Sequence, residues 1–141
     1  MSDELFWLAL TAVLTAFEAV PYILERIGRI GLMSALGYNE QSGHGDTNQP
    51  SETPPHWACR AYRAHINSVE TLAVFATLVL IAHITKIGGE TVACAAMVYF
   101  FARIAHYVVY VIGIPVLRTL TFATSLGALL TIAYVLLTGA A

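Results

Sequence analysis

Arg60, Arg63, Asn67 and Glu70 recur at helical spacing in the stretch RAYRAHINSVE. At about 100° per residue they fall within about one quarter of a helix circumference, while His65 points elsewhere. A second set, Tyr99, Arg103, His106 and Tyr110, recurs at spacings of four, three and four in YFFARIAHYVVY and forms a single polar stripe. Arg118 and Thr119 follow Pro115 at the start of a further apolar run. A helix start offers free backbone N–H groups, and an arginine there strengthens an anion-binding corner. Cationic helix ends, a carboxylate, an amide and tyrosines in this pattern are suited to holding a small zwitterion or dianion beside a lipid-accessible groove. That is a meeting place for one polar and one greasy substrate.

Each set also has a plainer structural reading. Arg60 and Arg63 can snorkel to headgroups and enforce orientation. Arg103 can form a structural ion pair, with Glu70 the leading partner in the chain, because a mid-span charge is costly unless it is paired. His106 can serve as a hydrogen-bonded bundle histidine, and Arg118 as a juxtamembrane anchor.

The elements that position these residues are apolar and long. Of the 141 residues 57% are hydrophobic and 11% charged, against roughly 25% charged in a soluble domain. A membrane-crossing helix needs about 20 predominantly apolar residues, and four stretches qualify: residues 5–24, 62–84, 91–114 and 116–137. Short turns at KIGGE and GIP make sequential helices antiparallel neighbours. The expected fold is therefore an all-α integral membrane protein, an up-down four-transmembrane-helix bundle forming one domain over residues 1–141. A polar loop over about residues 38–57, rich in Gly, Pro, Ser and Asn, separates the first two spans. Arg26, Arg29, Arg60 and Arg63 flank that loop and Arg118 lies near the third turn, whereas the opposite side has Lys86. The loop is therefore expected in the cytoplasm, with both termini outside.

Within the first span, Glu18 should face protein and Pro21 should kink the helix. The acidic start at Asp3 and Glu4 reads as that of a retained helix, not of a cleaved signal. A formal charge of −2 gives no reason to expect a nucleic-acid partner. The five histidines have no i, i+4 pair and no adjacent cysteine set, so no metal site is expected. Cys59 and Cys94 open consecutive helices on opposite membrane faces and should not pair.

RAHINSVE resembles the second-helix signature R-A-x-x-N-x-x-E of the MAPEG family, the membrane-associated proteins in eicosanoid and glutathione metabolism. FARIAHYVVYVIGIPVLRTLTF resembles that family's third-helix R-x-x-H-x-x-x-Y segment, followed by a proline turn and an arginine. The two motifs occur in the family's order, and the four-span pattern extends the resemblance over nearly the whole chain. It implies a homotrimer in a bacterial inner membrane, with glutathione as co-substrate bound between subunits near the cytoplasmic side. By matching position, Arg63, Asn67, Glu70, Arg103 and His106 would form the glutathione site and its charged network. Tyr110 and Arg118 would serve catalysis, with Arg118 beside the thiol. The activity implied is a glutathione transferase or peroxidase acting on hydrophobic electrophiles or lipid hydroperoxides. Ile66 stands where prostaglandin E synthase-like members carry a further arginine, which argues against that particular activity. The competing expectation is a non-catalytic membrane protein whose polar stripes join helices or bind a lipid or partner.

Overall fold

The computed structural model describes residues 1–32, 35 and 53–139. Among the described residues five long helices follow one another: α1 (Asp3–Glu18), α2 (Val20–Ile30), α3 (His56–Thr85), α4 (Gly89–Ile112) and α5 (Pro115–Thr138). α1 and α2 form one 28-residue candidate span, and α3, α4 and α5 supply three more. The chain is thus an all-α four-span bundle.

The break in the first span falls at Ala19, two residues before Pro21. Proline lacks the N–H that would continue the ladder, and its ring crowds the preceding turn. The Tyr107 hydroxyl of α4 donates to the Glu18 carbonyl at 3.0 Å and ties the break to the bundle.

α3 begins at His56, ahead of the apolar run at residue 62. Residues 38–52 of the expected polar loop lie outside the described residues. His56 and Trp57, expected in that loop, are helical instead. The reason is local: Pro55 is extended (φ −61°, ψ 146°), and its carbonyl accepts from the backbone N–H groups of Ala58 and Cys59 at 2.9 and 3.2 Å. The helix therefore starts directly after the proline pair, at polar residues that hydropathy passes over.

The turn between α3 and α4 uses left-handed backbone at Lys86 (φ 55°) and Gly88 (φ 94°). A Cβ at Gly88 would collide with the Val92 and Val135 side chains, so glycine lets this turn seat against α5. The α4–α5 turn passes through Gly113 (φ 91°), and Pro115 then opens α5 as its first residue. α4 packs against α1, α3 and α5, whereas α1 and α5 share no contact.

Ala61, Ala64, Ala82, Ala95, Ala96 and Ala128 are buried, and such small residues let helix backbones approach closely. Phe75 stacks on Tyr99 at 4.1 Å between ring centres, and Ile132 and Val135 fill the α5 side of the same core. Outward-facing positions are apolar as well, including Val74, Leu80, Val108, Leu120 and Leu130. Serine and threonine hydroxyls bond carbonyls of their own helices, as Thr11 does to Trp7 and Thr77 to Ala73. That spares apolar surroundings an unsatisfied donor.

Candidate functional site

A groove of about 280 Å³ opens where the middle of α3, the last turns of α4 and the first turns of α5 meet. Asn67, His106, Tyr110, Arg118, Thr119 and Phe122 line it. α4 contributes His106 and Tyr110, four residues apart on one face. The short Gly113–Pro115 turn then brings Arg118 back over that face. The Arg118 guanidinium carbon lies 4.9 Å from the Tyr110 ring centre, a cation–π contact that steers its charge toward the groove.

His106 is held from three sides. Its ring meets Tyr110 edge-to-face at 5.6 Å and Phe122 at 6.0 Å, and its Nδ1 is 3.2 Å from Thr121 Oγ1. The Thr121 hydroxyl donates to the carbonyls of Leu117 and Arg118 at 2.9 and 3.0 Å. With its proton committed, Thr121 Oγ1 accepts from His106 Nδ1–H. In the neutral imidazole this places the lone pair on Nε2. Nε2 is buried and has no hydrogen-bond partner among the described residues.

Arg103 lies one turn before His106 on α4 and reaches α3 at Asn67 and Ser68. Its two terminal nitrogens donate to Asn67 Oδ1 at 3.0 Å and to Ser68 Oγ at 2.6 Å. No ion pair joins it to Glu70, which corrects the partner expected from the sequence. Arg103 is buried, whereas Glu70 is on the exposed side of α3. The buried face of α3 is built from Ala61, Ala64, Ser68, Phe75 and Val79, and at about 100° per residue Glu70 lies well over a quarter turn from it. Ser68, next to Asn67 but on the core face, is the acceptor that sequence reasoning missed.

The residues expected to act together therefore divide. Asn67, His106, Tyr110 and Arg118 share the groove. Arg103 braces Asn67 from behind. Arg63 and Glu70 project from the exposed side of α3, one turn on either side of Asn67, and do not line the groove within this chain. Two nearby polar residues have structural partners. Arg60 Nε donates to the Val111 carbonyl at 2.9 Å near the end of α4, where a cation suits the helix dipole. His65 Nδ1 is 2.9 Å from the Tyr22 hydroxyl, on another face of α3 as its spacing indicated. At the opposite end of the bundle, Glu4 Oε1 meets His83 Nδ1 at 3.0 Å, a pairing between α1 and α3 that no local spacing announces.

Four spans among the described residues, each long and apolar enough to cross a bilayer, with a polar groove cut between three of them, define a multi-pass integral membrane protein. Within that class the chain belongs to the MAPEG family, whose profile matches residues 5–138. Comparison with curated proteins finds none that matches the chain.

Proposed function

We propose that the protein is a membrane-embedded glutathione-dependent transferase or peroxidase acting on hydrophobic electrophiles or lipid hydroperoxides. The observation that carries this reading is the convergence of Asn67, His106, Tyr110 and Arg118 on one groove, beside exposed Arg63 and Glu70 on α3. Glutathione presents two carboxylates, which suit arginine, and an ammonium, which suits Glu70. Arg63 and Glu70 point away from the bundle, so in the proposed homotrimer they would meet a ligand shared with a neighbouring subunit. The proposed setting is a bacterial inner membrane with both termini outside and the groove toward the cytoplasmic face.

In this mechanism Arg118 favours the thiolate of a thiol whose ordinary pKa is about 8.5. The thiolate attacks an electrophilic carbon, the C–S bond forms, and the displaced pair leaves with the departing group. With a hydroperoxide it attacks the terminal oxygen and the O–O bond breaks. The alkoxide takes a proton, and a second glutathione thiol converts the resulting sulfenic acid to the disulfide, releasing water. Tyr110, under the Arg118 guanidinium, is the hydroxyl that would assist at the sulfur.

Calorimetric titration of the purified protein in lipid nanodiscs tests the reading. Glutathione should bind, and Arg63→Ala and Glu70→Ala should each weaken it. A wild-type protein that binds no glutathione in lipid overturns it. One observation favours a second reading: Arg103 uses both terminal nitrogens to join α4 to α3, as purely structural polar stripes would. On that reading Arg103→Met lowers thermal stability while no thiol compound raises it.

A further inference from the structure

The first span carries a carboxyl group that the groove chemistry leaves unused. Glu18, the last residue of α1, is 3% exposed, and neither carboxylate oxygen has a hydrogen-bond partner among the described residues. Arg103 is 2% exposed, and its Nε is likewise without a partner. Among the described residues these are the one buried carboxylate and the one buried guanidinium.

Packing brings them to the same place. Tyr107 lies one turn from Arg103 on the same face of α4, and its hydroxyl bonds the Glu18 carbonyl at 3.0 Å. Arg103 and Ser68 are the polar groups that act on the Glu18 carboxylate, with Tyr99 the other ionisable group acting on both; Glu18 and Arg103 make no direct ion pair, since the terminal nitrogens of Arg103 go to Asn67 and Ser68. A lone charge in apolar surroundings is costly, and an opposite charge on the adjoining helix offsets that cost.

The far side of Arg103 reaches the groove through its hydrogen bond to Asn67. A guanidinium has only donors, so Asn67 must offer it Oδ1, which leaves the amide N–H groups for the groove.

We propose that Glu18 is a positioning residue of the groove: acting without a direct ion pair, the charge of its carboxylate keeps the buried Arg103 guanidinium in place, which in turn fixes Asn67 with its amide N–H groups turned toward the ligand. The helix break at Ala19 is then part of the site's architecture, because it ends α1 where Glu18 meets α4. For the identity of the ligand this inference rests on the glutathione reading; for the link from Glu18 to Arg103 it does not.

The test uses full-length protein in nanodiscs and two measurements. In a ligand-free melting cycle, Glu18→Gln and Arg103→Gln should each lower the melting temperature, and the double variant should lose less than the sum, because each single change strands a buried charge. Glu18→Asp should melt above Glu18→Gln. Additive losses, or equal melting of the Asp and Gln variants, overturn the proposal. If Glu18→Gln does not fold, the double variant should; failure of both also overturns it.

In the second measurement, Glu18→Gln should weaken glutathione binding by about threefold to tenfold. In an Asn67→Ala background the same change should have less than about a twofold effect, since the two act in series. Equal weakening in both backgrounds marks Glu18 as generally structural and overturns the proposal. If wild type binds no glutathione, the glutathione reading fails and the melting cycle alone decides the link between Glu18 and Arg103.

Discussion

At the residue scale, the groove divides one helical stripe into different duties. Asn67 faces Arg103 with its oxygen and the groove with its nitrogen, so Asn67→Asp should separate folding from binding. The aspartate still accepts from Arg103 but offers the groove a carboxylate in place of a donor. Melting is expected to hold within a few degrees while glutathione affinity falls by about tenfold, or about 1.4 kcal/mol. An affinity equal to that of wild type would show that Asn67 does not touch the ligand. Arg118 makes a sharper case, since its charge lies over Tyr110 at the groove wall. Adding glutathione should produce the ultraviolet absorbance of a thiolate in wild type and not in Arg118→Ala. Much of this was readable in the sequence, because arginine, histidine and asparagine inside an apolar helix stand out against lipid. The spacing named the face they share but not what each one meets. Period alone turns both stripes inward and so pairs Arg103 with Glu70. The observed acceptors, Asn67 and Ser68, and the nearby carboxylate of Glu18 depend on where α1 and α3 pack around α4, which no local pattern encodes.

At the element scale, two glycine turns set how the helices pack, and the one at Gly113 also sets a wall of the groove. A Cβ at Gly113 would lie 3.2 Å from the Arg60 guanidinium, and the residue's φ of 91° is costly for any side chain. Gly113→Ala should therefore destabilise the protein by about 1–2 kcal/mol, seen as a lower melting temperature. Because Arg118 follows directly in α5, the same variant should also weaken glutathione binding. Gly88→Ala, which drives a methyl group into Val92 and Val135 across the α3–α4 turn, should cost more, about 2–4 kcal/mol, with little direct effect on the groove. A Gly88→Ala protein as stable as wild type would mean that the turn repacks freely. The spans themselves were legible from twenty-residue hydropathy, and the break in the first from Pro21. The start of α3 at His56 was not, because a helix that continues into the interface is polar there and is announced by its Pro55 cap alone.

At the scale of the whole molecule, the small-residue core and apolar exterior describe a protein whose solvent is mostly lipid. A ligand that binds the folded state must stabilise it by mass action, by about 2.7 kcal/mol at a concentration of one hundred times its dissociation constant. Glutathione should therefore raise the melting temperature of wild type in nanodiscs. It should do so less for Arg63→Ala, and an unchanged melting curve at saturating glutathione would favour the purely structural reading. One feature of the fold also sets how any greasy substrate would be met. Arg118 and Thr119 at the groove wall are exposed among Val116, Leu117 and Leu120, themselves exposed apolar neighbours on α5. A substrate arriving there would come sideways from the bilayer and not from water. Its effective concentration would be its mole fraction in lipid, so diluting the protein into more lipid at constant total substrate should raise the apparent KM in proportion. Glutathione, arriving from the aqueous side, should show no such dependence.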